Sequence, residues 1–292
     1  MTFNRTDRMV SDAVIYDGRL LKKKDTTERP PGQIWIFAAH ESPVAYDDPK
    51  GSMWKNGTWR NSFNWTMTYN RWNTDIHLPY GRIRKKIFPT SRNYSFVASM
   101  KTDGALMISS DCDTHSKRHE YALELGKYIP VTILGSCGTT WECGQQFVHD
   151  DCFDVLNTTF KYYLAFPNAF CTQYFTEKFF DNYNYDIIFI VRGGKRAIEA
   201  HKMFPKGTFI SAQDFTSAKS LGLYLRRLGE SNNKLAQMLA TKDIYYSPGY
   251  AEVYQNALCD ICKRMNFQKR YRKQIKDIEL WALGKEPCRV DD

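Results

Sequence analysis

A continuous apolar segment near the middle of the chain limits the possible folds more than any other feature. Residues 186–194 read DIIFIVRGG, with five apolar and mostly β-branched residues between an aspartate and the Arg-Gly-Gly that ends the segment. Such a run has no polar face, so it suits a parallel strand that is covered on both sides. The sequence therefore predicts an α/β protein with helices packed on its sheet.

Strands and helices are predicted to alternate around this run. From about residue 104 the order is strand, helix, strand, strand, helix, strand, strand, helix, judged from apolar periodicity and turn signals. An earlier apolar run, Ile34–Ala39, follows a proline-rich turn and predicts one more buried strand. This alternation indicates a mainly parallel sheet.

Three regions are expected along the chain. Residues 1–95 would form a smaller α/β unit that is short of strands, and residues 96–265 would form a larger α/β domain. Residues 266–292 begin with the stretch NFQKRYRKQIK and are predicted to form a basic C-terminal helix. Its charges, interleaved with Phe267 and Tyr271, would fit a nucleic-acid stripe, but such charge is usually a solvated helix face, and we expect no nucleic-acid partner.

Composition narrows the partners and the compartment. The 292-residue chain has a formal net charge of +9, which favours a phosphorylated small molecule, nucleic acid or an acidic membrane surface. It contains no run of about 18 apolar residues and no apolar signal-peptide core at its start. Eight cysteines and sequons at Asn4, Asn56, Asn64, Asn93 and Asn157 nevertheless favour a lumenal protein whose anchor is absent from this sequence.

Thr176, Glu177 and Lys178 stand at a predicted helix start. A helix start attracts phosphate through its free N–H groups and partial positive charge, and a lysine in the first turn adds a full charge. Glu177 suits a helix start and could also bind ribose hydroxyls. The alternative is a capped helix with a solvated ion pair.

Glu41 follows directly after the predicted strand Ile34–Ala39. Ligands gather at the carboxyl ends of strands in open α/β sheets, so a carboxylate here is well placed to accept a proton from an acceptor hydroxyl. The alternative is a glutamate in a surface loop.

The segment Asp111-Cys112-Asp113 precedes a predicted helix. Asp-x-Asp holds a divalent cation in many nucleotide-sugar transferases, but aspartate before a helix is also a common cap. Lys117 and Arg118 follow in the first turns of the helix. A guanidinium there could hold a pyrophosphate through two parallel hydrogen bonds, and a solvated helix face is the alternative.

Cys259 and Cys262 have the spacing of half a zinc knuckle. A second Cys-x-x-Cys is absent from the sequence, so a disulfide framework is favoured over zinc in an oxidising compartment. The sequence also contains no GxSxG, P-loop or GxGxxG motif, which excludes several large enzyme classes.

Seven segments, taken together and in order, resemble the α-1,3-fucosyltransferases of glycosyltransferase family 10. The resemblance covers roughly residues 12 to 265, and FNWTMTY and YFTEKFF are its most specific parts. The segments are RPPGQIWIFAAHESP, FNWTMTYNRWNTDIHLPYG, HSKRHEYALELGKYIPVTILGSCG, FKYYLAFPNAFCTQYFTEKFF, IVRGG, GTFISAQDFTSAKSLGLYL and CDICKRMN.

The resemblance implies an inverting enzyme of the GT-B type, in which two Rossmann-like domains face each other across a cleft. It would move L-fucose from GDP-fucose to a GlcNAc-containing glycan or glycoprotein, in α-1,3 linkage, on the lumenal side of the Golgi membrane. The N-terminal domain would take the acceptor and the C-terminal domain GDP-fucose. No metal is obligatory in such a reaction, although a divalent cation could stimulate it.

The same resemblance assigns roles to individual residues. Glu41 falls where the family has its catalytic base. Lys178 would bind the donor phosphates and Glu177 the sugar or ribose. The remaining donor-site matches are Asn168, Tyr174 and Arg118, the last as the pyrophosphate-binding arginine with Lys117 as an offset alternative.

The chain also departs from the family pattern. Pro167 stands where an acidic residue usually precedes the asparagine, and IVRGGKRAIEAHKMF replaces a segment of the glycine-proline type. The family's transmembrane anchor, stem and first N-terminal strands have no counterpart here, so we expect an incomplete N-terminal domain. A catalytically inactive glycan- or nucleotide-binding relative is the alternative function.

Overall fold

The computed structural model describes residues 5–21, 28–46, 59–139, 153–283 and 288–289. It divides the chain into two compact units. The first comprises Met1–Tyr80 with Ala251–Arg289, and the second comprises Gly81–Tyr250 with Val290–Asp292.

Short strands and helices alternate along both units, as an α/β fold requires. The strands are β1 (Ala13–Asp17), β2 (Ile34–Ala39), β3 (Trp65–Thr68), β4 (Ile76–His77), β5 (Arg84–Lys85), β6 (Asp103–Ile108), β7 (Val131–Leu134), β8 (Phe160–Ala165), β9 (Phe170–Cys171), β10 (Ile188–Val191), β11 (Phe209–Ser211), β12 (Tyr245–Tyr246) and β13 (Cys288–Arg289). The α-helices are α1 (Tyr94–Met100), α2 (Arg118–Leu125), α3 (Asp154–Thr158), α4 (Glu177–Phe180), α5 (Ile198–Met203), α6 (Ala218–Gly229), α7 (Asn232–Asp243), α8 (Tyr250–Asn266) and α9 (Ile278–Leu283). Short 3₁₀-helices lie at Arg5–Val10, Pro43–Tyr46, Arg71–Asn73 and Ala212–Asp214.

The first unit is built on a four-stranded parallel sheet in the order β1-β2-β3-β4. Successive side chains of a strand point to opposite faces, so Trp35 and Phe37 lie on one face of β2 and Ile36 on the other. Trp35 and Phe37 pack with Trp59, Phe63 and residues around α9. On the opposite face, Ile36 packs with Val253, Ala257 and Ile261 of α8.

The second unit is built on a five-stranded parallel sheet in the order β11-β10-β8-β6-β7. The predicted buried strand at the DIIFIV segment is confirmed, since β10 is fully buried and pairs with β8 and β11. The apolar stripe of α6, including Leu221 and Leu225, covers one face of the sheet. This arrangement confirms the predicted α/β class with a parallel sheet.

The two units differ from the predicted division of the chain. The residues of helix α8 fall almost entirely within the range predicted for the larger domain, but the buried Val253, Ala257 and Ile261 pack on the sheet of the first unit. Helix α1 and the pair of β5 with β12 extend the second unit back to Gly81. The boundaries therefore fall near residues 80 and 250 rather than 95 and 265.

The predicted basic helix over 266–292 is wrong for most of its described length. Helix α9 comprises only Ile278–Leu283, and the segment before it is held in another way. Ile275 N–H donates to the Phe63 carbonyl oxygen at 2.8 Å, and the Trp65 indole donates to the Tyr271 carbonyl oxygen at 2.9 Å. Because these backbone groups pair with residues far away in the sequence, they do not form a helix.

The cysteines and the sequons have defined places in the described part of the chain. Cys112 and Cys137 form a disulfide, and Cys171 and Cys288 are also disulfide-bonded, whereas Cys259 and Cys262 are exposed free thiols that take no part in this framework. The sequon residue Asn64 donates through Nδ2 to the Lys273 carbonyl oxygen at 3.0 Å. Asn4 and Asn56 lie outside the described residues. No helix within the described ranges is long and apolar enough to cross a bilayer.

Candidate functional site

Three neighbouring strands of the second unit end at the same edge of the sheet. The carboxyl ends of parallel strands meet at one edge, and this is where open α/β sheets bind ligands. Here β10 is followed by Arg192, β8 by Phe166 and β6 by Ser109. The residues after these strands therefore form the candidate donor site.

Arg118 is the buried cation of this edge. Arg118 is the first residue of helix α2, yet it is only 5% exposed. Nη1 donates to the Phe166 carbonyl oxygen at 3.2 Å and Nη2 to the Asp111 carbonyl oxygen at 3.1 Å. Nε is buried and donates to none of the described residues. Burial lowers the pKa of Arg118, and the charges of Asp111 and Glu177 oppose this shift.

Lys117, the offset alternative, lies in a different environment. Its backbone is left-handed, with φ of 49°, and its side chain is about half exposed. Nζ lies 3.2 Å from an Asp113 carboxylate oxygen and 3.7 Å from a Glu120 carboxylate oxygen. The hydrogen bond to Asp113 raises the pKa of Lys117. Its charge is thus paired at the surface, whereas that of Arg118 is buried at the sheet edge.

Asn168 lies in the turn that follows β8 and supports the start of α2. Its carbonyl oxygen accepts the Ser116 N–H at 3.0 Å, and the carbonyl oxygen of Pro167 accepts the Ser116 hydroxyl at 2.7 Å. The Asn168 Oδ1 atom is buried and accepts no hydrogen bond from the part of the chain that is described. Pro167, the departure from the family pattern, therefore contributes a backbone contact to the turn before Arg118.

Tyr174, Glu177 and Lys178 lie on the next segment of the edge. Tyr174 is 1% exposed, and Glu177 opens the four-residue helix α4. The Thr176 side chain makes no capping hydrogen bond to α4, so the capped-helix alternative lacks its main contact. Lys178 Nζ lies 3.1 Å from Glu177 Oε1, with side chains 22% and 48% exposed respectively. The charge of Glu177 also opposes the lowering of the pKa of the buried Arg118.

Arg192 is a residue of this edge to which sequence reasoning gave no role. Its guanidinium carbon lies 4.3 Å from the ring centre of Tyr121 and 4.6 Å from that of Phe170. Nη1 donates to the Ser116 carbonyl oxygen. The position of Arg192 directly after the β10 run was the available signal, but the two rings come from distant segments.

Glu41 lies in the first unit, at a pocket of about 420 Å³ that includes the space at its open mouth. Its side chain is 31% exposed, and Oε1 lies 3.9 Å from Arg19 Nη1. The preceding His40 stacks on Tyr80 with ring centres 3.8 Å apart. The pocket is lined by aromatic, amide and small residues that sequence reasoning did not single out: Phe37, Ala39, Pro43, Thr68, Tyr69, Asn70, Asn73, Trp281 and Ala282.

The Asp111-Cys112-Asp113 segment is held by contacts within the second unit. Cys112 is bonded to Cys137, and the Asp113 carboxylate is paired with Lys117. The Asp111 carbonyl oxygen accepts hydrogen bonds from Arg118 and from the Ser109 hydroxyl. Within the described ranges, no group of three or more His, Cys, Asp or Glu residues could hold a metal ion.

Two parallel-sheet units, one of them with cations at its carboxyl edge, give the α/β architecture of a GT-B type fold. Comparison with solved structures supports this class. A crystal structure of an α1,3-fucosyltransferase with GDP superposes with a TM-score of 0.55 at 16% identity, over 90% of this chain and 80% of that chain. A crystal structure of an α1,3-fucosyltransferase with GDP-fucose gives a TM-score of 0.51 at 16% identity, over 86% of this chain and 78% of that chain. At this identity the likeness shows the fold.

Sequence comparison gives the family. Residues 98–281 match "Glycosyltransferase family 10 (fucosyltransferase) C-term", and residues 1–81 match "Fucosyltransferase, N-terminal". The chain belongs to glycosyltransferase family 10, the fucosyltransferase family.

Curated relatives agree with this assignment. The chain is 30% identical to alpha-(1,3)-fucosyltransferase C of Drosophila melanogaster over 90% of its own length and 62% of that protein. It is 31% identical to glycoprotein 3-alpha-L-fucosyltransferase A of the same organism, over 78% of this chain and 44% of that protein. Bovine alpha-(1,3)-fucosyltransferase 7 is 27% identical, over 96% and 77%. The chain thus spans between 44% and 62% of the length of the two fly relatives.

Proposed function

We propose that this protein transfers L-fucose from GDP-fucose to a GlcNAc-containing glycan, in α-1,3 linkage, during protein glycosylation. The observation that carries this proposal is the Arg118 guanidinium, which is buried at the carboxyl edge of a parallel sheet and feels the charge of Glu177, itself paired with Lys178. In a member of this family, that edge is the natural place for a nucleoside diphosphate.

The donor is held by the second unit. Arg118 and Lys178 supply positive charge to the two phosphates, and Glu177 accepts hydrogen bonds from sugar or ribose hydroxyls. Asn168 offers its buried Oδ1 atom, and Tyr174 forms part of the wall. Lys117 is the weaker candidate because Asp113 and Glu120 already surround its charge.

The reaction is a single displacement at the anomeric carbon of fucose. The acceptor hydroxyl oxygen forms the new bond to this carbon while the bond to the phosphate oxygen of GDP breaks, so the configuration inverts. GDP leaves with the bonding electron pair, and the fixed cations stabilise the negative charge that develops on it. Glu41 accepts the proton of the acceptor hydroxyl as general base.

The pocket around Glu41 is proposed to take the acceptor sugar. Trp281 and Tyr69 offer apolar ring surfaces, which suit the C–H faces of a pyranose, and Asn70 and Asn73 offer amide groups for its hydroxyls. A neutral sugar is consistent with this mixture of aromatic and amide groups around a single carboxylate.

We assign no obligatory metal to the reaction, because Arg118 and Lys178 can supply the electrostatic stabilisation that a cation supplies elsewhere. A divalent cation would at most stimulate turnover. Persistence of transfer in excess chelator tests this point, and complete loss that added Mn²⁺ or Mg²⁺ restores would contradict it.

The proposed location is the lumenal side of the Golgi membrane. The Cys112–Cys137 disulfide supports an oxidising compartment. Immunolocalisation of the tagged native protein checks this, and a reduced cytosolic protein would contradict it.

The proposed function is tested by Lys178→Ala. Loss of one oxyanion-hole type contact costs about 2.7–4 kcal/mol, so turnover should fall about 10²–10³-fold while the melting temperature changes little. GDP release from GDP-fucose, with and without a GlcNAc-containing acceptor, is the measurement. Wild-type turnover in the variant would overturn the role of Lys178. A wild-type chain that binds GDP but never transfers fucose would favour the inactive relative instead.

A further inference from the structure

Arg192 is held on three sides within the second unit. Tyr121 of helix α2 and Phe170 of strand β9 cover its guanidinium at 4.3 and 4.6 Å, which are cation–π distances. Its Nη1 donates to the carbonyl oxygen of Ser116. A guanidinium confined in this way has little rotational freedom, so it can hold the group it contacts in one place.

The group it contacts is the turn that leads to Arg118. All three polar groups of Ser116 are engaged: its N–H with the Asn168 carbonyl oxygen, its hydroxyl with the Pro167 carbonyl oxygen and its carbonyl oxygen with Arg192. The next residue, Lys117, adopts the left-handed conformation, and helix α2 begins immediately afterwards with Arg118. A left-handed lysine is unfavourable by itself and persists where its surroundings impose it.

The segment that follows Arg192 supports the other half of the donor site. The buried Glu199 carboxylate accepts the N–H of Gln173, a residue with φ of 59° just before Tyr174. A Cβ atom at Gly193 would lie 3.1 Å from the Tyr174 carbonyl oxygen, so glycine permits the close approach. One segment thus contacts both the turn before Arg118 and the turn before Glu177.

We propose that Arg192 is a positioning residue of the donor site: it fixes the Ser116–Lys117 turn and so places the Arg118 guanidinium for the diphosphate. This inference rests on the proposed function. It does not require that Arg192 touch the ligand. Direct contact with a phosphate is a separate possibility that the experiment distinguishes.

The experiment compares the dissociation constants of GDP and guanosine for the full chain, by titration calorimetry or ligand-observed NMR. Arg192→Met keeps an apolar side chain between the rings but removes the charge and the donor. This substitution should raise the dissociation constant of GDP at least tenfold, which is about 1.4 kcal/mol of binding free energy. The dissociation constant of guanosine should change less than about twofold. The diphosphate-specific loss is the signature, because general damage to the fold would weaken both ligands together.

Two further variants complete the test. Arg196→Met removes an exposed positive charge from the same loop and should change GDP affinity less than about twofold. Arg192→Lys keeps the charge but not the planar group that spans both rings and the Ser116 carbonyl, so it should recover little affinity. If Arg192→Met does not fold at the assay temperature, Arg192→Lys replaces it in the test, and the changes in the dissociation constants of GDP and guanosine are compared in the same way.

Each other outcome overturns the proposal. Unchanged GDP affinity in Arg192→Met, equal weakening of both ligands, or an equal loss in Arg196→Met would show that Arg192 does not place the diphosphate site. Full recovery in Arg192→Lys would show that its charge acts directly on the phosphates. If the wild-type chain binds no GDP, the proposed function fails instead, so the two failures are distinguishable.

Discussion

The Arg118 guanidinium donates to the Phe166 carbonyl oxygen at 3.2 Å, so a buried positive charge is anchored at the end of strand β8. This contact joins the start of helix α2 to the carboxyl edge of the sheet. The charge is therefore positioned before any ligand arrives, which is the condition under which a fixed cation contributes most to catalysis.

The first prediction separates Arg118 from its neighbour Lys117. Arg118→Lys should lower kcat/KM for GDP-fucose at least tenfold, because an ammonium cannot reach both backbone carbonyls and the phosphates at once. Lys117→Met should change it less than about twofold, because that charge is already paired at the surface. Steady-state kinetics with varied GDP-fucose is the measurement, and the reverse ranking would show that the offset alternative is correct.

A second prediction concerns the acceptor pocket. Trp281→Ala removes an aromatic wall beside Glu41 and should raise KM for the acceptor about tenfold while KM for GDP-fucose stays constant. Trp72→Ala is the matched control because that side chain is 70% exposed. An unchanged acceptor KM in Trp281→Ala, or an equal change in the control, would exclude this pocket as the acceptor site.

Lys242 makes stability depend on pH. Its ammonium donates to the carbonyl oxygens of Tyr183 and Tyr185, and burial lowers its pKa to about 7. Between pH 7 and the ordinary lysine value of about 10.5, the unfolded chain binds the proton and the folded chain does not, so this residue's contribution to stability rises with pH. Below pH 7 both states are protonated and its contribution is constant.

The unfolding free energy of the wild type minus that of Lys242→Met should therefore rise from pH 7 to 9.5, by at most about 1.4 kcal/mol per pH unit. Denaturant unfolding at several pH values measures it. The exposed Lys219→Met serves as control and should give a constant difference. Parallel pH profiles for the wild type and Lys242→Met would contradict a lowered lysine pKa.

Gly194 is predicted to be sensitive to substitution. Its φ is +77°, and an added Cβ atom would lie 3.0 Å from the Glu199 Cβ. Gly194→Ala should destabilise the second unit by more than the 1–2 kcal/mol or so expected of left-handed backbone alone. Gly249→Ala isolates the backbone term, since φ there is +84° and a Cβ atom would meet nothing within 4 Å. Equal melting temperatures for the two variants would show that the contact with Glu199 carries no cost.

The parts of the fold that depend on local pattern were predictable, and those that depend on remote partners were not. Strand β10 follows from its own unbroken apolar run, and α6 from its stripe of leucines. No local feature of the α8 segment tells which sheet its buried residues cover. The segment before α9 pairs with Phe63 and Trp65, about 200 residues away in the sequence, and so was wrongly predicted as helix.

The candidate site shows the same division. The family resemblance selected Arg118, but its burial between the carbonyl oxygens of Asp111 and Phe166 could not be predicted from the sequence. The surroundings of Arg192 were not predictable, because Tyr121, Phe170 and Ser116 lie on three separate segments that only the folded sheet brings together. The pocket at Glu41 likewise needs Trp281, which reaches it from the other end of the chain.

The central claim is that Glu41 takes the acceptor proton while the second unit holds the donor, and Glu41→Gln tests it most directly. The measurement is the rate of fucose transfer from GDP-fucose at saturating acceptor, with the dissociation constant of GDP determined on the same preparation. The account predicts a rate at least about 10²-fold below that of the wild type, with GDP affinity unchanged. Transfer at the wild-type rate would show that Glu41 is not the general base.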